Sequence, residues 1–478
     1  MNLKNQNLFI EKNFINGEFV GNSKKIAVFN PSNGFLLGEV ADLEIAKIKT
    51  AISCASTAFT KWKKLTGKER AKILRRWHDL ILENLEDLAI ILTSEQGKPL
   101  AEARGEITYG ASFVEWFAEE AKRLRGDVIL APKENQKIIS IFEPIGVVAA
   151  ITPWNFPSAM ITRKASAAMA AGCCVILKPS ELTPFSALAL AVLAKEAGIP
   201  DGVFNVVVGD AAMIGEEFCR NQIIRKISFT GSTRVGKLLA TQSGNDLKRL
   251  SLELGGSAPF IVFADANLDQ AVAGLIHAKF RNGGQACTCV NRIFVEEKIH
   301  DEFLAKFLEK TKELKVGDGF DVASNIGPMI NDAAITKVER LIQDALKQGA
   351  KCEIGGKKIS GKFFPPTILT NVKPEMAVAN EEIFGAVAAI QKFNDEEEVI
   401  KIANETDYGL GSYIYTKDHS RIWRISEALE FGMVAINDCT FATEVAPFGG
   451  IKHSGFGREG SHLGIAEFCQ MKTLHWGI

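Results

Sequence analysis

The chain has 478 residues, 46% apolar and 24% charged, with 56 Lys+Arg against 57 Asp+Glu for a net charge of −1. That balance supplies no basic footprint for nucleic acid or an anionic membrane surface, and no apolar run approaches the ~18 residues of a membrane span. At ~150 residues per domain the length suits about three domains, long enough to bury sizeable cores.

Residues 1–19 lack an apolar core, carry Glu11 and Glu18, and hold no Arg, so they read as neither a secretory nor a mitochondrial leader. Apolar residues at i, i+3, i+4 spacing predict amphipathic helices over 45–65, 69–92 and 102–124, and 137–142 is a short strand candidate. From Gly146 the rhythm changes. Continuous apolar runs at 146–151, 174–177, 204–208 and 226–229 alternate with predicted helices at 158–171, 185–197 and 235–242. Such alternation predicts βα units and a parallel sheet buried on both faces, spanning roughly 144–253. Strands at 259–263 and 293–295 and helices at 268–280 and 300–314 continue it, so 254–440 reads as a second α/β domain. The Lys/Gly-rich stretch 355–362 reads as a surface turn.

Nine scattered cysteines form no CxxC pair, which suits a reducing cytoplasm, and the seven His show no HExxH. No Cys/His cluster has zinc spacing, so no catalytic metal is predicted.

Several segments carry chemistry. Gly455-Phe456-Gly457-Arg458-Glu459-Gly460 fits GxGxxG, but no buried strand precedes it, and a flexible loop is the reading adopted. Gly231-Ser232-Thr233-Arg234-Val235-Gly236-Lys237 nearly matches a Walker A loop, with Leu238 where the Mg²⁺-holding hydroxyl belongs. A P-loop hydrolase with Mg²⁺-dependent ATP turnover is therefore the rival class. The same loop opens a helix and suits a dinucleotide pyrophosphate, or is a plain βα turn. Lys178-Pro179-Ser180-Glu181 ends a buried strand, where open parallel sheets bind ligands. Lys178 and Glu181 there suit ribose hydroxyls, and a carboxylate repels a 2′-phosphate; the bland alternative is a solvated loop.

Gly283-Gly284-Gln285-Ala286-Cys287-Thr288-Cys289 places glycines beside a cysteine, so the backbone can approach a ligand closely. Cys287 suits a nucleophile whose thiolate local N–H dipoles favour; the CxC spacing equally suits core residues or a redox pair. Glu253 follows an apolar run and suits a salt bridge or, buried, a general base of raised pKa. Asn155 follows the strand end Thr152-Pro153-Trp154 and suits a turn or an oxyanion donor.

Taken together, Thr152-Pro153-Trp154-Asn155-Phe156-Pro157, Lys178-Pro179-Ser180-Glu181, Phe229-Thr230-Gly231-Ser232-Thr233, Glu253-Leu254-Gly255-Gly256, Gly284-Gln285-Ala286-Cys287, Glu381-Glu382-Ile383-Phe384-Gly385 and Pro447-Phe448-Gly449-Gly450 resemble the aldehyde dehydrogenase superfamily, in family order over nearly the whole chain. The resemblance implies an α/β fold with a Rossmann-like cofactor domain (1–120 and 144–253), a catalytic domain (254–445) and a small β oligomerisation arm (121–143 and 460–478). It implies a homodimer or homotetramer. It makes Cys287 the nucleophile, Asn155 with the Cys287 N–H the oxyanion hole, and Glu253 the activator of water. Cofactor contacts would come from Thr152, Pro153, Trp154, Lys178, Ser180, Glu181, Gly209, Phe229, Gly231, Ser232, Val235, Leu254, Glu382 and Phe384. Glu382 would hold the nicotinamide-side ribose and Phe384 would pack near the nicotinamide. Glu181 points to NAD, with NADP as the alternative. Glu253 supports hydrolysis of the thioester over transfer to coenzyme A.

The flanks Asn155–Lys164, Lys279-Phe280-Arg281-Asn282 and Cys287-Thr288-Cys289-Val290-Asn291-Arg292 resemble succinate-semialdehyde dehydrogenases. There the residues matching Arg163 and Arg281 bind the substrate carboxylate, as two guanidinium forks can; the alternative is that either braces a helix. The subfamily's substrate-binding Ser has no counterpart in Thr440-Phe441-Ala442-Thr443, where Thr443 supplies a hydroxyl or Ala442 holds the position. Glutarate semialdehyde or an uncharged aliphatic aldehyde is the alternative substrate, and an inactive relative the remaining option. Cys289 suits a reversible disulfide with Cys287, though so short a ring is strained.

Overall fold

The apolar runs Val147–Ile151 and Cys174–Lys178 occupy the middle of a sheet, as strands without a polar face must. The computed structural model describes residues 1–441 and 443–478, so the Ala442 alternative lies outside the described residues. The first sheet runs Gly455–Phe456, Arg249–Glu253, Ile224–Thr230, Val147–Ile151, Cys174–Lys178, Phe204–Val206, Asn13–Ile15 and Glu18–Val20. The strands from Arg249–Glu253 to Phe204–Val206 are parallel, and antiparallel strands flank them at both edges. Register places Ile151 beside Lys178 and Phe229, and Thr230 beside Glu253, so the carboxyl ends of these strands form one rim.

A second sheet runs Lys351–Ile354, Thr367–Thr370, Val387–Phe393, Val290–Glu296, Ala258–Val262, Gly411–Tyr415 and Met433–Ile436, parallel except at its first pair. A three-stranded sheet joins Val128–Ile129, Gln136–Pro144 and Cys469–Gly477. Val128, Leu130, Met471 and Trp476 on or beside it are exposed.

The helix Ala159–Ala171 is buried along its whole length, between its own sheet and the helix Leu100–Glu120. It carries Arg163 and Lys164 inward, and two buried cations require anionic partners.

Two expectations are corrected. The helix over 69–92 is two, Gly67–Glu83 and Leu85–Gln96, because Asn84 leaves helical geometry and its side chain donates to the Leu80 carbonyl. The loop expected at 455–460 begins as an edge strand, with Gly455–Phe456 pairing antiparallel to Leu252–Glu253. Among the described residues, no helix is long and apolar enough to cross a membrane.

Candidate active site

The rim of the first sheet faces a cavity of about 820 Å³, whose other lining comes from the segments following the helix Leu268–Phe280 and from the loops around Glu382 and Phe441. The cavity brings together Pro153, Trp154, Asn155, Arg163, Gly231, Ser232, Glu253, Leu254, Arg281, Cys287, Glu382 and Phe384.

Glycines allow this convergence. A Cβ on Gly256 would lie 2.5 Å from the Cys287 carbonyl oxygen, so the glycine after Glu253-Leu254-Gly255 lets the Cys287 backbone sit against the end of the strand that carries Glu253. Gly284 has φ +76°, and a Cβ there would lie 2.3 Å from the Gly385 carbonyl, which joins the cysteine loop to the Glu382-Ile383-Phe384-Gly385 segment. Phe384 itself holds φ +55°, a strained conformation for a bulky residue, and its ring meets Trp154 edge-on at 5.6 Å.

Asn155 Nδ2 donates to the Gln285 carbonyl at 2.9 Å, two residues before Cys287. An Asn amide has two N–H donors, so one remains for a ligand. Burial pushes the Cys287 thiol up to about 12, against the opposing pull of Arg163. Desolvation thus opposes the thiolate that backbone dipoles favour. Both Glu253 oxygens are buried without a hydrogen-bond partner among the described residues. Burial, reinforced by the Glu459 carboxylate, raises Glu253 well above the ordinary range. Glu459 is also opposed by burial, but Arg163 and Lys164 outweigh it and hold Glu459 low, so the negative charge of the pair resides there. Arg163 Nη2 lies 2.6 Å from Glu459 Oε2, and Lys164 Nζ donates to Glu459 Oε1.

Arg163 is thus already committed to an internal carboxylate. Arg281 is not: among the described residues its guanidinium makes no hydrogen bond or ion pair, and lies 5.3 Å from the Phe156 ring centre. Thr443 is absent from the described cavity lining and its Oγ1 accepts from Val445 N–H, while Thr440 and Phe441 line the cavity instead. Cys289 is a buried free thiol whose sulfur accepts from Lys279 Nζ at 3.3 Å; it does not line the cavity, and Cys287 is likewise free.

The remaining cofactor candidates lie outside the cavity lining. Thr152 N–H donates to the Lys178 carbonyl, and Lys178 Nζ donates to Glu181 Oε2 at 2.8 Å. Burial raises the Glu181 carboxyl, but Lys178 outweighs it and keeps the group low. Ser180 Oγ accepts from Leu182 N–H, and Gly209 sits against the Leu43 carbonyl. Phe229 is buried in its strand, and Val235 N–H donates to the capping Ser232 Oγ. Two rim hydroxyls, Thr152 Oγ1 and Thr230 Oγ1, are buried without partners among the described residues, and the Glu382 carboxylate accepts from Gly256 N–H at 3.0 Å. Unspent acceptors and donors along a strand-end rim suit a polar nucleotide.

The family model described as "Aldehyde dehydrogenase family" matches residues 19–474. The chain belongs to the aldehyde dehydrogenase family. It is an aldehyde-oxidising oxidoreductase whose cofactor is a nicotinamide nucleotide, and the P-loop reading falls away. It is 52% identical over 476 residues to a glutarate-semialdehyde dehydrogenase of Pseudomonas putida, covering 99% of each chain. It is 52% identical over 482 residues to a succinate-semialdehyde dehydrogenase [NADP(+)] of Escherichia coli, covering 100% of each. The crystal structure of an aldehyde dehydrogenase from Brucella melitensis biovar abortus 2308 superposes with a TM-score of 0.99 at 53% identity, over 100% of this chain and 99% of that one.

Glu459, Lys164, Lys98, Glu106 and Asn282 were not singled out by sequence reasoning. The signal for Glu459 was available: Arg163-Lys164 inside a helix of small apolar residues demands a buried countercharge.

Proposed function

We propose that this aldehyde dehydrogenase oxidises succinate semialdehyde to succinate. The observation that carries the reading is Arg281, whose guanidinium stacks near Phe156 but makes no hydrogen bond or ion pair among the described residues, in the same cavity as Cys287. A four-carbon chain can lay its carboxylate on Arg281 while its aldehyde meets the sulfur.

Cys287 Sγ adds to the aldehyde carbon after its proton is released to solvent. The developing alkoxide is met by the free N–H of Asn155 and by the Cys287 backbone N–H, a donor placement worth roughly 10²–10³ in rate per group. The strand-end rim, Glu382 and Phe384 would hold a nicotinamide nucleotide, which would supply the two-electron oxidation of that carbon. Cys287 is then acylated. Glu253 takes a proton from water, the hydroxide attacks the thioester carbonyl, and the acid leaves as the sulfur is reprotonated. An unbonded, desolvated carboxylate has the raised proton affinity this step needs.

Glu181 beside Lys178 supports NAD over NADP, because a 2′-phosphate there meets a carboxylate. The exposed apolar side chains Val128, Leu130, Met471 and Trp476 support the three-stranded arm as a self-association surface. The relative named for glutarate semialdehyde favours that one-carbon-longer substrate as the second reading.

The test is reduced-cofactor appearance with succinate semialdehyde, glutarate semialdehyde, propanal and benzaldehyde, each with NAD and NADP. The expected result is the highest kcat/KM with succinate semialdehyde and NAD. Preference for propanal or benzaldehyde would reject the carboxylate reading and leave the dehydrogenase standing.

A further inference from the structure

Asn155 is pinned from behind by groups outside the reaction. Its carbonyl oxygen accepts from Lys98 Nζ at 2.8 Å and from Asn282 Nδ2 at 3.0 Å, which uses both lone pairs. Asn282 Nδ2 also donates to the Gln285 carbonyl at 3.2 Å, the oxygen that receives Asn155 Nδ2. Asn282 adopts φ +52° and is steadied in turn, its Oδ1 accepting from Gln96 Nε2 at 3.0 Å and its N–H donating to Glu102 Oε2 at 2.9 Å. Gln96 Oε1 accepts from Lys98 N–H at 2.9 Å, closing a ring around Asn155.

Behind Lys98 stands Glu106. Their side chains are 0% and 1% exposed, with Nζ 2.6 Å from Oε2. The other oxygen, Glu106 Oε1, accepts from Ser158 N–H at 2.9 Å and Ala159 N–H at 3.2 Å. Glu106 thereby ties the start of the helix Ala159–Ala171 to the same ammonium that holds Asn155.

A fully buried ion pair is a poor way to obtain stability alone, since apolar residues of similar volume serve as well or better. Fixing a donor is a different task, because an oxyanion hole works only when its donors are held in place before charge develops. We propose that Lys98, Glu106 and Asn282 are positioning residues that set the place of the Asn155 amide in the oxyanion hole. This rests on Asn155 having the oxyanion role proposed above.

A double-mutant cycle tests it, with Asn155→Ala as reference and Lys98→Met, Asn282→Ala and their combinations with Asn155→Ala. Steady-state kcat is read with succinate semialdehyde, and cofactor dissociation constants by fluorescence titration. Lys98→Met and Asn282→Ala should each lower kcat roughly 10- to 100-fold, the scale of a misplaced catalytic group, with cofactor affinity unchanged. Each combination with Asn155→Ala should fall no further than Asn155→Ala alone. Losses that multiply in the combinations, or wild-type kcat in both single variants beside a disabled Asn155→Ala, would overturn the inference and leave the oxyanion reading intact. An undiminished kcat in Asn155→Ala would overturn that reading and this inference with it. Should Lys98→Met fail to fold, Asn282→Ala, which removes no charge, decides by the same criteria.

Discussion

Two walls of the cavity treat their polar groups in opposite ways. On the Asn155 wall the backbone carbonyl has two donors, the amide has an acceptor, and the carboxylate behind them, Glu106, bonds an ammonium and two backbone N–H groups. On the Glu253 wall the carboxylate has no hydrogen-bond partner among the described residues, while Arg163 and Lys164 are spent on Glu459 and Arg458 donates to the Gly450 and Gly457 carbonyls. The difference suits the role proposed for each group. A donor that must wait for charge is best immobilised beforehand, whereas a base that must take up a proton is weakened by partners that stabilise its charged form.

The largest expected effect breaks the second wall. Glu253→Gln should cut steady-state turnover roughly 10²- to 10⁴-fold, the usual worth of a general base, while a pre-steady-state burst of reduced cofactor survives because acylation precedes hydrolysis. Unchanged turnover would remove Glu253 from the role. The pH dependence carries a definite sign: burial raises Glu253, only its charged form accepts a proton, and so wild-type turnover should fall as pH drops through that raised value. In Glu253→Gln this acid limb should vanish.

Next come the arginines that separate the walls. Arg281→Ala should lower kcat/KM for succinate semialdehyde roughly 10- to 100-fold, as loss of a charged hydrogen bond implies, and spare propanal. Arg163→Ala should harm both aldehydes, because it strips a partner from Glu459 and disturbs Glu253. Equal penalties from Arg281→Ala on the two aldehydes would reject the division of labour.

The smallest effect concerns Glu95, a buried carboxylate that has backbone donors at Phe185 and Ser186, each at 2.8 Å. Burial pushes it up to about 8 from an ordinary 4.5. The folded state therefore keeps a proton that the unfolded chain has released, so stability should decline as pH rises from about 5 to about 8. Glu95→Gln should flatten part of that slope in Tm measured across pH, and an unchanged slope would show that Glu95 is not its source.

Much of the fold was legible because parallel strands without a polar face leave unbroken apolar runs, and the helix Leu268–Phe280 was placed to the residue. That Cys287, Glu253 and Asn155 line one cavity was legible because each sits at a strand end or a glycine turn, where backbone can meet a ligand. What failed was long-range. Lys164 meets Glu459 across 295 positions, and a charge pair of that separation leaves no period in the chain. Which of Thr440 and Thr443 lines the cavity was not legible, because a loop without a period does not reveal which side chain faces inward. The desolvation that opposes a Cys287 thiolate was not legible, because burial leaves no mark in a motif.

The edge strand Gly455–Phe456 has a consequence for biosynthesis. It hydrogen-bonds to Leu252–Glu253, and Glu459 follows it within the same segment. A ribosome that has made Cys287 and Glu253 has therefore not yet made what closes the sheet beside the base or what neutralises Arg163. Premature termination upstream of this strand yields a chain with the nucleophile and an open sheet edge, a combination prone to aggregation. The sheet edge beside Glu253 is thus closed late in translation, when this segment can dock.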